Sequence, residues 1–253
     1  MTITVILSIF VPLNQLKIKW RSTNLTFMYQ IRGSMNCRYC KSDCKKDGFQ
    51  KNGTQRYKCK HCGKKQQSEY CYNAYGTSIN TSIKRFICEG VGIRSISRLL
   101  KVSTTTLLSR IIYIAKAINQ PPVSTGQVYE VDEIKTFVKR KDKHIWIVYA
   151  LNRTTKEVVS YNVGPRTNIT LGKVIKTLHL SGAKKIFTDR WRGYQSLIDR
   201  KIHSVANRGT NHIERHNLTL RTHLKRLTRR TICYSRSIAI LSAILKIFFW
   251  GEL

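Results

Sequence analysis

The chain has 253 residues, enough for one to three compact units, and its 42% apolar content is ordinary for a protein that buries a core. It carries 46 Lys and Arg against 13 Asp and Glu, a formal charge of +33, which exceeds what solubility requires. This excess argues against a merely solvated surface, and because basic residues run through every segment with aromatics between them, it favours nucleic acid over a membrane as the partner.

The N-terminal residues 1–34 have neither a clear periodicity nor a recognisable motif, and we interpret them as an extension upstream of a second candidate start at Met35. Their apolar stretch has no basic region before it and no clear cleavage site after it, which argues against a signal peptide, and it is too short to span a bilayer. Residues 238–250 are similarly short and predict a docking helix. We therefore expect a cytoplasmic, nucleoid-associated protein without a membrane partner.

Residues 35–75 contain two Cys-x-x-Cys pairs separated by 18 residues. Each pair can direct two thiolates at one ion, and a hairpin with its turn at residues 51–54 would bring the pairs together, so the spacing predicts a zinc ribbon with a structural Zn²⁺. His61 and Cys44 are less favoured replacement ligands, and unpaired cytosolic thiols are the alternative. The predicted ligands are Cys37, Cys40, Cys59 and Cys62.

Residues 76–120 have the apolar periodicity of helices, with a short turn at residues 101–102 and Ser103 as the N-cap of the second helix. This pattern predicts a helix-turn-helix DNA-binding domain, although helical hairpins that bind no DNA have the same periodicity. The second helix would present four polar side chains to a major groove: Thr104, Thr105, Ser109 and Arg110.

Beyond a linker at Pro121 and Pro122 the pattern becomes extended, and a third unit spans residues 127–253. Three strands come first and helices then alternate with strands, which is the order of a ribonuclease H-like fold: a mixed five-stranded sheet with flanking helices. The whole chain is thus predicted to be an α/β multi-domain protein. We predict strands at 127–138, 144–152, 157–163, 184–189 and 202–206, and helices at 168–180, near Tyr194, and from about Asn211.

Acidic residues are scarce, so the positions of three of them are informative. Asp132 lies within the first strand of the third unit, Asp189 ends a later apolar strand, and Glu214 lies near the start of the last long helix. Adjacent strands would bring the aspartates together at a sheet edge, and two divalent ions, Mg²⁺ or alternatively Mn²⁺, would relieve the repulsion and perform in-line phosphoryl transfer.

Each of these carboxylates has an alternative interpretation. Asp189 would serve as an N-cap, Glu214 would complement the dipole of its helix, and Asp132 or its neighbour Glu133 would pair with a surface lysine. Arg221 lies two turns after Glu214 on the same helix face and would reach a DNA phosphate. Nearby basic residues, among them Arg215 and Lys225, are further DNA-contact candidates or simply a solvated basic face.

Three segments together resemble the insertion-sequence-one family of transposases, of the DDE type: residues 188–194 (TDRWRGY), 213–221 (IERHNLTLR) and 231–237 (TICYSRS). The resemblance covers the chain from about Met35 onward. It implies a bacterial or archaeal enzyme that binds the terminal inverted repeats of its element, cuts there with Mg²⁺ and joins the ends to target double-stranded DNA, as a homo-oligomer. It also implies that Asp132, Asp189 and Glu214 are the catalytic triad and that Arg221 is the basic residue that follows the glutamate.

Three features depart from the family pattern. The chain is continuous, whereas family members are often made by frameshifting; residues 1–34 have no clear counterpart; and Arg190 stands where a glycine is usual after the second aspartate. The main alternative function is therefore a DNA-binding repressor of the element with an inactive catalytic domain, and a nonspecific ribonuclease H-type nuclease is a second alternative.

Overall fold

The computed structural model describes residues 35–68, 70, 72–76, 78–206, 209–228 and 230–251. The predicted N-terminal extension at 1–34 lies outside these residues. The chain divides into two compact units, residues 1–71 and 72–253, and each is described by itself.

The first unit is a four-stranded antiparallel sheet whose strands follow one another in chain order. The predicted hairpin is confirmed: Gln50 and Thr54 close the turn with a backbone hydrogen bond, and the Asn52 side chain accepts from Thr54. Gly53 has a φ of 79°, a backbone conformation that glycine adopts at little cost. The strands are β1 (Met35–Asn36), β2 (Asp43–Phe49), β3 (Gln55–Cys59) and β4 (Lys65–Gln67).

The second unit opens with three helices, α1 (Ile79–Cys88), α2 (Ile93–Leu99) and α3 (Thr104–Ala117). Ser103 caps α3 as predicted, since its hydroxyl accepts the backbone N–H of Thr106 at 3.0 Å. The link between α1 and α2 requires glycine at position 90, because a Cβ there would lie 2.0 Å from the carbonyl oxygen of His223.

A five-stranded mixed sheet forms the centre of the second unit, in the order β7-β6-β5-β8-β9, which confirms the predicted sheet. The first three strands are antiparallel, whereas β8 and β9 run parallel to β5. The two last strands are shorter than predicted; the first of them ends at Phe187, so Thr188 and Asp189 already lie in the loop that follows it. The strands are β5 (Val128–Phe137), β6 (His144–Asn152), β7 (Val158–Gly164), β8 (Lys185–Phe187) and β9 (His203–Ser204); the helices are α4 (Asn168–Leu180), α5 (Arg192–Gln195), α6 (Asn211–His223) and α7 (Ile238–Trp250).

Side chains alternate across the sheet and build two cores. On β5, Tyr129 and Val131 pack on the side of α4, whereas Ile134 packs on the opposite side, where α1, α3, α6 and α7 share one hydrophobic cluster. The predicted docking helix is therefore α7, whose Leu241 and Ile244 are buried in that cluster. Within the described part of the chain, no helix is both long and apolar enough to cross a bilayer.

Candidate metal centres and active site

The two Cys-x-x-Cys pairs of the first unit converge. The Cys37 and Cys62 sulfurs lie 3.6 Å apart and those of Cys40 and Cys59 lie 3.4 Å apart, and all four sulfurs lie within 4.8 Å of one another. Disulfide sulfurs would be about 2.05 Å apart. Four sulfurs at about 2.3 Å from a tetrahedral Zn²⁺ would be separated by about 3.8 Å, so this donor set fits structural zinc.

The pKa values of these thiols also indicate that a cation is needed among them. Backbone and side-chain hydrogen bonds from Ser42 lower the pKa of Cys40 to about 5, which favours its thiolate. At Cys62 a backbone hydrogen bond from Lys64 acts in the same direction, but burial and the three neighbouring cysteines outweigh it and raise the pKa to about 12. Four thiolates therefore need a cation among them to coexist.

In the second unit, strand register brings two of the predicted catalytic carboxylates together. The parallel pairing of β5 with β8 sets Glu130 opposite Phe187. Asp132 lies two residues after Glu130, and Asp189 lies two residues after Phe187, so both aspartates lie near the carboxyl end of β8. Carboxylate oxygens of Asp132, Glu133 and Asp189 all lie within 4.8 Å of one another. We call these three residues the acidic cluster.

Burial and mutual repulsion raise the pKa values of two members of the acidic cluster. Burial, with a further contribution from the charge of Asp189, raises the pKa of Asp132 to about 6. The pKa of Glu133 rises to about 7, mainly through burial, although Arg166 opposes the shift. Hard oxygen donors that are destabilised as anions fit a divalent cation such as Mg²⁺, which would stabilise the charged form.

The three carboxylates have different environments. The Glu133 side chain is 2% exposed, and its Oε1 is buried without a hydrogen-bond partner among the described residues. Asp189 is exposed, and its Oδ1 accepts the backbone N–H of Trp191 at 2.9 Å, so it shapes the turn before α5 without being the N-cap of that helix. Arg190, beside it, is exposed.

Glu214 borders the acidic cluster without belonging to it. It lies in the first turn of α6, and its Oε1 accepts the Thr210 hydroxyl at 2.9 Å. Its charge nevertheless contributes to the raised pKa of Asp132, after the larger effects of burial and Asp189. The structure thus brings Asp132 and Asp189 together, adds Glu133, and places Glu214 nearby with its carboxylate turned toward Thr210.

Asn217 was missed by sequence reasoning, although it contacts the cluster directly. Its side-chain amide donates to Asp132 Oδ2 at 2.7 Å, and its oxygen accepts the Tyr149 hydroxyl at 2.6 Å. Because that hydroxyl donates its single proton to Asn217, His216 Nδ1 at 3.1 Å is the donor to the tyrosine oxygen. The available signal was a polar residue within the buried stripe of α6.

Glu130 was also missed, and it connects β5 to α6. Its side chain is fully buried, and its two oxygens accept the backbone N–H of Ile213 at 2.9 Å and His212 Nδ1 at 2.7 Å, with Arg153 Nε at 3.4 Å. Thr210 gives α6 no side-chain cap, so Glu130 supplies the cap from another element. Strand alternation places Glu130 and Asp132 on the same face, which was the signal available from sequence.

The predicted DNA-contact residues differ in accessibility. Thr104, Thr105 and Ser109 are exposed along α3, whereas Arg110 donates to the backbone oxygen of Ala74 at 2.8 Å and is held by the protein itself. On and after α6, Arg215 and Lys225 are exposed, whereas the Nε atom of Arg221 is buried without a hydrogen-bond partner in the described part of the chain.

Comparison with known proteins gives a consistent set of relatives. A family model described as IS1 transposase matches residues 127–250. Insertion element iso-IS1n protein InsB of Shigella dysenteriae is 39% identical over 113 residues, which cover 45% of this chain and 86% of that protein. Insertion element IS1 2 protein InsB of Escherichia coli (strain K12) is 39% identical over 109 residues, covering 43% of this chain and 65% of that protein.

Solved structures give weaker similarities. The catalytic core domain of HTLV-2 integrase, in complex with magnesium and in a trimeric form, aligns with 14% identity and a TM-score of 0.30 over 51% of this chain and 86% of that one. A simian T-cell lymphotropic virus intasome in complex with PP2A regulatory subunit B56 gamma aligns with 17% identity and a TM-score of 0.35 over 64% and 66%. Neither similarity is close enough to support a conclusion about this chain.

Proposed function

Since the chain belongs to the insertion-sequence-one (IS1) transposase family, we propose that it is a DNA transposase that cleaves the ends of its element and joins them to target DNA. The observation that carries this proposal is the acidic cluster at the carboxyl edge of the sheet. Three carboxylates whose oxygens lie within 4.8 Å of one another repel each other unless cations lie among them. Cations held there would in turn face a polyanion attracted by the surrounding basic surface.

The proposed catalytic triad is Asp132, Asp189 and Glu214, with Glu133 as a fourth candidate ligand. Two Mg²⁺ ions bound by these carboxylates would activate the attacking water or 3′-hydroxyl and stabilise the leaving oxygen. Asn217 orients Asp132 by donating to its Oδ2. The other carboxylate oxygen, Oδ1, accepts the backbone N–H of Glu133. For Glu214 to join these ligands, its side chain must rotate so that its carboxylate leaves the Thr210 hydroxyl and contacts an ion. The helix itself stays in place, because Glu130 caps its N-terminus.

The remaining parts of the proposal concern DNA recognition. We assign a zinc ribbon to residues 35–75, a helix-turn-helix domain to residues 76–120 and a ribonuclease H-like catalytic domain to residues 127–253, with the first two binding terminal inverted repeats. The sharing of one hydrophobic cluster by α1, α3 and the sheet argues that the helices and the catalytic domain move together. Joining two element ends favours a homo-oligomer. The proposed DNA contacts are Thr104, Thr105, Ser109, Arg110, Arg215, Lys225 and Arg221.

A strand-joining assay tests the proposed function. Purified protein with Mg²⁺ is incubated with DNA carrying the inverted repeats that flank its gene, and nicked and joined products are measured together with end binding. We expect Asp189→Asn to abolish both products while binding persists, because one carboxylate of the cluster is lost. The matched control is Asp199→Asn, since Asp199 is exposed and its carboxylate, among the described residues, accepts the backbone N–H of Lys201 alone. Equal cutting by Asp189→Asn and the wild type would refute the assignment.

A repressor with an inactive catalytic domain is the second candidate. Two observations favour it: the Glu214 carboxylate is turned toward Thr210, and Arg190 stands beside Asp189. The same assay separates the two functions, because a repressor binds the inverted repeats but yields no nicked product in Mg²⁺ or Mn²⁺. Restoration of cutting by Arg190→Gly would identify that arginine as the cause.

A further inference from the structure

An arginine side chain contacts two indole rings at the edge of the sheet that carries the acidic cluster. The Cζ atom of Arg166, in the loop between β7 and α4, lies 4.5 Å from the ring centroid of Trp146 and 4.4 Å from that of Trp191. The guanidinium therefore makes cation–π contacts with two aromatic rings. These two contacts restrict a group that is otherwise carried on a flexible side chain.

Three separate segments build this arrangement. Trp146 pairs with Gly164 where β6 begins and β7 ends, and Arg166 follows Gly164 by two residues. Trp191 is held by its backbone N–H bond to Asp189, a member of the acidic cluster. The next turn requires glycine at position 193, because a Cβ there would lie 2.7 Å from the Trp191 ring. The position of the indole is thus set by the same turn that positions Asp189.

Among the described residues, the Arg166 guanidinium has one polar contact. Its Nη2 lies 3.4 Å from Glu133 Oε2, a long contact, whereas a guanidinium has five N–H donors around its edge. The Arg166 side chain is 36% exposed, while the Glu133 side chain is 2% exposed. The Arg166 side chain is therefore accessible from solvent beside the buried carboxylate of the acidic cluster.

We propose that Arg166 binds a phosphate of the DNA strand that enters the acidic cluster. This inference rests on the proposed transposase function, and it assigns to that site a contact with the strand backbone. The geometry favours a phosphodiester because a guanidinium edge pairs with two phosphate oxygens in one plane, and the contacts with two indole rings restrict the guanidinium in advance. Once divalent ions neutralise the cluster, Glu133 competes less for Arg166, and the arginine is free to pair with the incoming phosphate.

The test replaces single phosphates of the DNA by neutral methylphosphonates. The probe is a duplex carrying the inverted repeat that flanks the gene, and binding is measured with Ca²⁺, which also takes oxygen ligands. We expect one substitution near the cleaved bond to weaken binding by the wild type on the order of ten-fold, the size of a charge-assisted hydrogen bond. The same substitution should leave binding by Arg166→Ala unchanged, because the partner of that phosphate is already absent.

Two further variants separate the phosphate contact from a general loss of charge or of folding. Arg140→Ala removes an exposed arginine that pairs with Asp142 in the turn between β5 and β6, and it should keep the wild-type methylphosphonate profile. Arg166→Lys keeps the charge but lacks the planar edge. In this variant, the methylphosphonate at the same phosphate should reduce binding less than it does in the wild type. If Arg166→Ala fails to fold, the lysine variant alone decides the outcome.

Identical methylphosphonate profiles for the wild type, Arg166→Lys and a folded Arg166→Ala would overturn the inference. Failure of the proposed function has a different signature: the wild type would show the Arg166-dependent phosphate but produce no nicked or joined DNA in Mg²⁺. In that case the phosphate contact stands and the transposase assignment falls.

Discussion

At the level of single residues, the raised pKa values of Asp132 and Glu133 make cation binding depend on pH. In the unfolded chain such carboxyls titrate near pH 4, whereas in the folded protein they titrate at about 6 and about 7. The folded state therefore binds more protons between these values, and without a cation its stability falls as pH rises through this window. Stabilisation by a divalent ion should increase as pH rises through this window, because the ion must displace those protons at low pH.

This linkage predicts that Mg²⁺ raises the melting temperature more at pH 8 than at pH 5. Scanning calorimetry at both pH values, with Mg²⁺ and with a chelator, measures the difference. The double variant Asp132→Asn with Glu133→Gln removes the titrating groups and should lose most of the Mg²⁺ effect at both pH values. A Mg²⁺-induced shift of the same size at both pH values in the wild type would contradict the prediction.

Asn217 provides a second test at this level. Asn217→Leu removes the donor to Asp132 Oδ2 and leaves the Tyr149 hydroxyl with only its longer contact to the Ile213 carbonyl oxygen at 3.3 Å. We expect the affinity for Mg²⁺ or Mn²⁺, measured by titration calorimetry, to fall by about 10- to 100-fold, as for other residues that orient metal ligands. The control is Asn168→Ala, because among the described residues the Asn168 side chain makes one weak, exposed contact, at 3.4 Å with Ser196. Unchanged affinity in a folded Asn217→Leu would remove this residue from the site.

At the level of secondary-structure elements, two carboxylates of β5 hold helix α6 against the sheet. Glu130 caps the first turn of the helix, and Asp132 accepts from Asn217 one turn later. Glu214 lies between these two contacts, so its position relative to the acidic cluster depends on both.

Glu130→Gln should therefore destabilise the protein by about 2 to 4 kcal/mol, since it removes a buried charge from three donors and turns an amide N–H₂ toward them. Chemical denaturation measures this loss, and hydrogen exchange at the Ile213 amide should accelerate more than exchange in α4. Glu157→Gln, at an exposed position, is the control. Equal exchange at Ile213 in the Gln variant and the wild type would mean that Glu130 does not cap α6.

The sequence predicts some secondary-structure elements more accurately than others. The bounds of β6, α4 and α7 follow from hydrophobic periodicity and agree with the structure at both ends, because each element buries a full face or stripe. Strands β8 and β9 contain only 3 and 2 residues, too few for a periodic signal. The approach of Asp132 to Asp189 depends on parallel register, and the hydrogen bond of Arg110 to Ala74 depends on tertiary packing, so neither contact could be read from local pattern alone.

At the level of the whole molecule, the two units should respond differently to loss of metal. The first unit contains four short strands around the four thiols, and below about 40 residues a domain usually needs a metal or disulfides to fold. The second unit has two hydrophobic clusters of its own. Removal of Zn²⁺ should therefore unfold the first unit and leave the second folded.

Limited proteolysis during titration with a strong zinc chelator checks this. Residues 35–68 should become sensitive to cleavage as zinc is released, while residues 78–206 stay protected. The variant Cys40→Ser with Cys59→Ser should already be sensitive without chelator, whereas Cys233→Ser, outside the cluster, should behave as the wild type. Protection of the first unit in fully zinc-free protein would contradict a structural role for the metal.

The central claim is that the acidic cluster, with Glu214, holds the divalent ions of a strand-transfer enzyme. Anomalous X-ray scattering from crystals grown with Mn²⁺ tests it directly, because it locates the ion independently of activity. The account predicts an anomalous peak between the carboxylates of Asp132 and Asp189, with Glu214 rotated away from Thr210 toward the ion. Anomalous density elsewhere in the protein, with none at Asp132 and Asp189 in crystals saturated with Mn²⁺, would contradict it.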